Sequence, residues 1–147
     1  MSDPAMCFVE GQFQHTIDAK GRLFIPAKLR EGLGEMFFVT ISGERCLTAY
    51  SEASWTGFCE KFASLPYTEA RQVRPIFANA FRCEPDAQGR IVLPQKLRTY
   101  AGLDKDVTIV GVCSRVEIWD TKRWTELEEI DLDPQNLDES AARIGIF

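Results

Sequence analysis

A single histidine, His15, stands in this chain of 147 residues, and no two of its five cysteines have the short spacing of zinc or redox motifs. Ligands for a metal are therefore scarce, and we expect neither a metal nor a cofactor. The cysteines are expected to be small buried apolar residues. A catalytic pair of a cysteine nucleophile and His15 as its base is also not expected, because no third group nearby would orient the imidazole ring.

Long apolar runs are missing too. No stretch approaches the length of a membrane span, and residues 1–4 lack a basic segment followed by an apolar run. We therefore expect a cytoplasmic protein with no membrane partner. The hydrophobic content of 45% is enough for a sizeable core.

An excess of basic residues is also absent, since the net charge is −5, which at first argues against a nucleic-acid partner. The charge is unevenly distributed. Residues 120–147 hold eight acidic and three basic residues, whereas residues 18–30 hold four basic residues and one acid. Salt screens charges beyond about 8 to 10 Å, so a local basic face can still bind phosphate.

The chain repeats one segment of itself. Residues 18–30 return as residues 86–98 at an offset of 68, with eight of the thirteen positions identical and three more exchanging one apolar residue for another. Each copy places Asp where its side chain can bond the local backbone and Gly where a positive φ is needed. This pattern indicates a duplicated supersecondary unit built on a turn that is followed by an arginine.

Apolar runs bounded by turn residues predict strands over residues 13–17, 23–25, 36–41, 46–50, 107–110 and 116–119. Pro26 is expected to begin a short helix, and Ser51 and Asp120 to cap longer ones. Pro75 is expected to interrupt a helix over 68–80.

Short strands, tight turns and one short helix per half favour an α+β fold in which two interleaved halves form a small barrel. Neither half could bury its apolar face alone. The expected organisation is a first repeat over 7–66, a connecting helix over 67–80, a second repeat over 81–130 and an acidic tail or helix over 131–147.

Four residues are expected to shape the turns without touching a ligand: Asp18, Gly21, Asp86 and Gly89. Arg22 and Arg90 directly follow the turns and have two possible roles. Each could pair with the Asp of its own turn, worth about 0 to 1 kcal/mol if exposed. Each could instead fork onto O6 and N7 of guanine in double-stranded DNA, which we favour.

Other basic residues of the repeats are candidates for contact with the DNA backbone. Lys20 lies at the tip of the first turn and is expected to meet phosphate. Four residues on the short helices either face solvent or hold phosphates: Lys28, Arg30, Lys96 and Arg98. Four aromatic residues at strand ends and on apolar helix faces are expected in the core: Tyr50, Trp55, Trp119 and Trp124. The alternative is that they stack on the bases of single-stranded nucleic acid.

Several motifs resemble the MraZ family, itself similar to the AbrB-like swapped-hairpin DNA-binding proteins. They are Met6-Cys7-Phe8-Val9-Glu10-Gly11, the Asp-x-x-x-Arg turns at Asp18/Arg22 and Asp86/Arg90, Tyr100-Ala101-Gly102-Leu103, and Val110-Gly111 followed by Arg115-Val116-Glu117-Ile118-Trp119-Asp120. The resemblance covers nearly the whole chain. It implies an AbrB-like, double-psi-like β-barrel of two pseudo-symmetric halves with short flanking helices.

The resemblance also implies a function. It is that of a nucleoid-associated repressor of a division and cell-wall gene cluster, which binds short G-rich direct repeats as a homo-oligomeric ring. The chain departs from the family pattern at three places. The residues before Met6 form an extension, Gln88 stands where the first copy has Lys20, and Pro85 directly precedes the Asp of the second turn. The second turn is therefore expected to be the weaker DNA contact.

Two other functions stay open. An antitoxin-like protein would dock its acidic tail on a basic toxin. Barrels of similar topology also occur in decarboxylases that mature by self-cleavage at Gly-Ser, but the sequence has no Gly-Ser dipeptide. We therefore expect no enzyme activity and no small-molecule substrate.

Overall fold

A computed structural model describes residues 8–146, so the predicted start of the first repeat at residue 7 and the end of the tail at residue 147 lie outside the described part. The strands are β1 Val9–Thr16, β2 Arg22–Phe24, β3 Phe37–Ile41, β4 Leu47–Ser51, β5 Phe81–Cys83, β6 Arg90–Val92, β7 Asp106–Cys113 and β8 Arg115–Asp120. The helices are α1 Ala27–Leu33, α2 Glu52–Ala63, α3 Tyr67–Ala78, α4 Gln95–Ala101, α5 Thr121–Asp131 and α6 Pro134–Arg143.

The two halves exchange strands. The main antiparallel sheet has the order β1-β7-β8-β4-β3-β5, and β2 and β6 form a separate two-stranded sheet. The first strand of each half thus pairs with the third strand of the other, β1 with β7 and β5 with β3. The pairs β4–β8 and β2–β6 also join the halves. This order is symmetric about a pseudo-twofold axis between β8 and β4.

Local sequence explains where the helices begin. The Ser51 hydroxyl accepts a hydrogen bond from the Ser54 N–H at 3.3 Å, and the Asp120 carboxylate accepts one from the Arg123 N–H at 3.0 Å. Both side chains cap helices as predicted, because the first N–H groups of a helix have no partner within it. Pro26 and Pro94 occupy the corresponding position before α1 and α4, where the missing N–H does no harm.

One apolar core is shared by both halves. It takes side chains from the strands of each copy and from α1 and α4, including Leu23, Leu29, Leu93 and Leu97. Each of these four leucines has its counterpart 68 residues away in the other copy. The duplicated apolar positions of both halves therefore belong to one core cluster.

The α+β class is confirmed, but the predicted barrel does not close within residues 8–146. The main sheet is open, with β1 and β5 at its edges, because β2 and β6 pair with each other and are only three residues long. The structure also starts β1 at Val9, whereas the sequence predicted a strand over 13–17. The predicted interruption at Pro75 was wrong, since α3 continues through it. In the described part no helix is long and apolar enough to cross a membrane.

The approach of β1 to β7 generates a prediction. A Cβ at Gly111 would lie 2.5 Å from the backbone nitrogen of Glu10, so Gly111→Ala must push the paired strands apart. We expect a loss of about 1–3 kcal/mol in the free energy of unfolding, measured by urea denaturation. Gly57→Ala is the matched control, because nothing lies within 4 Å of its added Cβ and alanine favours the helix. Equal destabilisation by both substitutions would contradict this packing.

Candidate nucleic-acid interface

Asp18 organises the first turn. One carboxylate oxygen accepts the N–H groups of Lys20 and Arg22, both at 2.9 Å, and the other accepts Nε of Arg22 at 2.5 Å. The Gly21 N–H donates to the Asp18 carbonyl at 3.0 Å, and Gly21 has φ +78°. A glycine is required there because L side chains rarely adopt this conformation.

The second turn reproduces this arrangement atom for atom. Asp86 accepts the N–H groups of Gln88 and Arg90, both at 2.9 Å, and Nε of Arg90 at 3.0 Å. Gly89 has φ +80° and donates its N–H to the Asp86 carbonyl at 2.9 Å. The shared Asp, Gly and Arg positions thus make the same hydrogen bonds in both turns.

The carboxylates are stabilised in their charged form. The main-chain N–H of Arg22 is the largest cause that lowers the pKa of Asp18, and the main-chain N–H of Arg90 does the same for Asp86. The guanidinium groups add to both effects. The ionised Asp therefore belongs to the folded turn.

Each turn is also tied to the opposite half. The Ile25 N–H donates to the Gly89 carbonyl at 2.9 Å, and the Leu93 N–H donates to the Gly21 carbonyl at 2.8 Å. Between these bonds, β2 and β6 pair with Leu23 opposite Ile91. The two turns therefore lie at opposite ends of one ribbon, and neither can move without breaking contacts between the halves.

Arg30 and Arg98 also stabilise the contact between each turn and the opposite half. Nε of Arg30 donates to the Ile25 carbonyl at 2.8 Å, and Nε of Arg98 donates to the Leu93 carbonyl at 3.0 Å. A Cβ on Gly89 would lie 2.9 Å from Cζ of Arg30, and a Cβ on Gly21 3.1 Å from Nη2 of Arg98. Each guanidinium therefore packs on the turn of the opposite half, a structural role that their position on short helices did not reveal.

The remaining basic residues differ in exposure. Lys20, Lys28 and Lys96 are exposed, whereas the side chains of Arg22 and Arg90 are 33% and 31% exposed. Arg22 and Arg90 each give Nε to the Asp of their own turn. Within residues 8–146 no hydrogen bond occupies the two terminal nitrogens of either guanidinium.

The surroundings of the two turns are not alike. Beside Asp86 lies an open cavity of about 870 Å³ whose lining includes Glu31, Glu35 and Glu84. The residues 68 positions away from these three are Thr99, Leu103 and Thr16, so the first turn has no matching acids. The second turn thus has three acids nearby that the repeat does not give to the first, and it has Gln88 in place of Lys20.

Other candidate groups are placed in the core or apart from the turns. Trp55 and Trp119 are buried, Trp124 packs against Trp119, and Tyr50 is half-buried, which agrees with their expected place in the core. The rings of His15 and Phe24 pack in a T-shaped arrangement with their centroids 5.1 Å apart. No group of three or more His, Cys, Asp or Glu side chains in the described part could hold a metal.

The prediction that the cysteines are buried was right for only two of the four described. Cys46 and Cys83 are buried, and Cys59 and Cys113 are exposed. Burial raises the pKa of the Cys46 thiol to about 11 and that of Cys83 to about 12. These two thiols are therefore protonated at neutral pH and unreactive.

Comparison with known proteins agrees with a duplicated unit. The family described as "MraZ protein, putative antitoxin-like" matches residues 8–74 and 76–145. Curated relatives named Transcriptional regulator MraZ match most of the chain, as three of them show. The protein of Acetivibrio thermocellus is 46% identical over 140 residues, covering 92% of this chain and 98% of its own length.

The second relative, from Symbiobacterium thermophilum, is 52% identical over 122 residues, covering 81% of this chain and 88% of its own length. The third, from Clostridium beijerinckii, is 42% identical over 139 residues, with coverage of 92% and 98%. The chain belongs to the MraZ family of transcriptional regulators.

The low pKa of the two turn carboxyls generates a prediction. The variant Asp18→Asn/Asp86→Asn should unfold at lower urea concentration than the parent at pH 7. Because both folded pKa values lie below the ordinary 3.8, the contribution of the carboxylates is complete above about that pH and is lost as the pH falls through the folded pKa. The difference between parent and variant should therefore shrink in acid.

The exposed carboxylate of Asp104 supplies the control, and Asp104→Asn should change the urea midpoint less at pH 7. A difference between the parent and the double variant that stayed the same from pH 7 to below pH 3 would contradict the role of the ionised carboxylates.

Proposed function

We propose that this chain represses transcription by binding double-stranded DNA through its first turn, with Arg22 reading guanine. The observation that supports this most is the fixed guanidinium of Arg22. Asp18 takes Nε and leaves both terminal nitrogens without a partner in the described residues. Two parallel N–H donors can bond O6 and N7 of one guanine, and an arginine already held in place loses little conformational entropy on binding.

The lysines would supply affinity that does not depend on sequence. Lys20 is exposed two residues before Arg22, within reach of a phosphate that flanks the base contacted by the arginine. Lys28 and Lys96 are exposed on α1 and α4 and would hold more distant phosphates. For Arg30 and Arg98 any phosphate contact would use their terminal nitrogens, because Nε of each bonds a carbonyl.

Arg90 is proposed as a second, weaker contact. It is held by Asp86 as Arg22 is held by Asp18. The nearby Glu31, Glu35 and Glu84 would repel phosphate, and Gln88 brings no charge. We therefore propose that binding to the first turn dominates.

A single strong turn per chain favours repeated sites read by several chains. Linked sites raise the effective concentration of the second contact, so a homo-oligomer on direct repeats would bind tightly although each turn binds weakly. We propose a ring on short G-rich direct repeats in the promoter of a division and cell-wall gene cluster. Occupancy would occlude the promoter, in the cytoplasm and at the nucleoid.

An antitoxin-like role is the second candidate, and the matching family description includes those words. The acidic segment after Asp120 would be the surface for a basic toxin. A toxic partner captured through this segment would support that role, and it is compatible with DNA binding by the turns.

The central experiment replaces the reading arginine. Arg22→Ala should lose about 1–3 kcal/mol of discrimination at the contacted guanine and leave nonspecific binding nearly unchanged. The measurement is fluorescence anisotropy with a selected operator and with a scrambled duplex. Arg71→Ala, which removes an exposed arginine from α3, is the control. Operator binding as tight as that of the parent would refute the assignment.

A second experiment separates sequence-independent affinity for DNA from recognition of the base sequence. Lys20→Ala should weaken binding to operator and scrambled duplex alike, and should reduce the slope of log affinity against log salt by about 0.9. The control Lys122→Ala removes an exposed lysine on α5. Equal slopes for the parent and Lys20→Ala, measured from low to high salt, would mean that Lys20 neutralises no phosphate.

A further inference from the structure

The ribbon formed by β2 and β6 has an inner and an outer face. Side chains alternate along each strand, so the buried Leu23 and Ile91 belong to the core side and their neighbours to the other. The outer face consists of two cross-strand pairs, Arg22 with Val92 and Phe24 with Arg90. Both arginines proposed to read DNA therefore lie on one face of one ribbon, and each has an apolar residue directly opposite.

The pairing of the strands brings Val92 close to Arg22. The Leu93 N–H donates to the Gly21 carbonyl at 2.8 Å, and hydrogen-bonded pairs alternate with non-hydrogen-bonded pairs along an antiparallel ribbon. Arg22 and Val92 are thus a non-hydrogen-bonded pair, the kind in which side chains approach most closely. The Cβ atoms of such a pair lie about 4.5–5.5 Å apart. Val92 is thereby fixed beside the turn that carries Lys20 and Arg22.

Val92 is exposed, unlike its counterpart in the other pair. It is 59% exposed, whereas Phe24, 68 positions earlier, is half-buried. The Phe24 ring packs against the ring of His15, and the Arg30 guanidinium lies over it with Cζ 5.7 Å from the ring centroid. The apolar partner of Arg90 is therefore packed within the chain, while the apolar partner of Arg22 faces solvent on the surface that would meet DNA.

The major groove offers an apolar group to such a side chain. Thymine presents its C5-methyl group there, and apolar side chains of DNA-binding proteins contact it. The major groove is also wide enough to admit a two-stranded ribbon. Bases lie about 3.4 Å apart along each strand. The spacing of the pair therefore places Val92 one or two base pairs from the guanine proposed for Arg22.

From these observations we infer that Val92 is a specificity-determining residue of the first turn. Its side chain contacts the methyl group of a thymine one or two base pairs from the guanine bound by Arg22. The contact rests on the proposed function, because it requires the ribbon to lie in the major groove. Arg22 comes from the first copy of the repeat and Val92 from the second. The exchange of strands between the halves thus assembles one reading surface from both copies.

The test removes the methyl group from the DNA. A duplex with one binding site is selected from a random pool, and its thymines are replaced one at a time by deoxyuridine, which lacks only the C5-methyl group. Binding by the parent should weaken about fourfold at one thymine within two base pairs of the guanine, which is the loss expected for one buried methyl group. Fluorescence anisotropy gives the ratio of the dissociation constants for the two duplexes.

Protein variants locate the contact. Val92→Ala and Val92→Ser both remove the γ-methyl groups and should bring the ratio at that thymine close to one. Val92→Ile keeps a branched apolar side chain and should retain the ratio of the parent. The control Leu132→Ala removes a similarly exposed apolar side chain at the end of α5 and should also retain it. Because the ratio compares two duplexes on one variant, a general loss of affinity cancels, and circular dichroism checks folding.

Three results would overturn the inference. They are a selected site without a thymine in that range, equal binding of the thymine and deoxyuridine duplexes by the parent, and an unchanged ratio in the folded Val92→Ala and Val92→Ser variants. Failure of the proposed reading by Arg22 looks different, because Arg22→Ala would then bind the selected site as tightly as the parent. Guanine discrimination that depends on Arg22, together with equal binding of both duplexes, would refute the Val92 contact alone.

Discussion

Two of the hydrogen bonds between the halves, from the Ile25 N–H to the Gly89 carbonyl and from the Leu93 N–H to the Gly21 carbonyl, hold the molecule's candidate interface in place. In each bond the acceptor is the carbonyl oxygen of the glycine in a turn. Because Asp18 and Asp86 fix their turns internally, these bonds attach two rigid units to the ends of one ribbon. The geometry of each turn therefore depends on the half to which it does not belong.

This dependence explains why the duplicated segment extends beyond the turn. Arg30 and Arg98 stand eight residues after Arg22 and Arg90, and each guanidinium packs on the opposite turn. A repeat that kept only the turn would lose this brace. The acidic surroundings of Asp86 show that equal backbone geometry does not mean equal charge, so the two turns are free to differ in what they bind.

Much of this could be predicted from the sequence, because the features concerned are local. Asp and Gly at fixed spacing determine the turns, and Ser51 and Asp120 cap helices through neighbouring N–H groups. The partner of each strand could not be predicted, since an apolar run pairs equally well with any strand of similar pattern. The open sheet and the packing of Arg30 and Arg98 on the opposite turns depend on contacts between residues far apart in the sequence. Both arginines recur in the repeat, but the sequence does not indicate which half each one contacts.

Native-state hydrogen exchange of the Ile25 and Leu93 amides tests the central claim most directly. If these two bonds join the halves, both amides should exchange only through global unfolding, with protection equal to the free energy of unfolding measured by urea. Their protection should fall together when the protein is destabilised. Exchange of either amide at the rate of an exposed loop, while the core strands stay protected, would contradict the account.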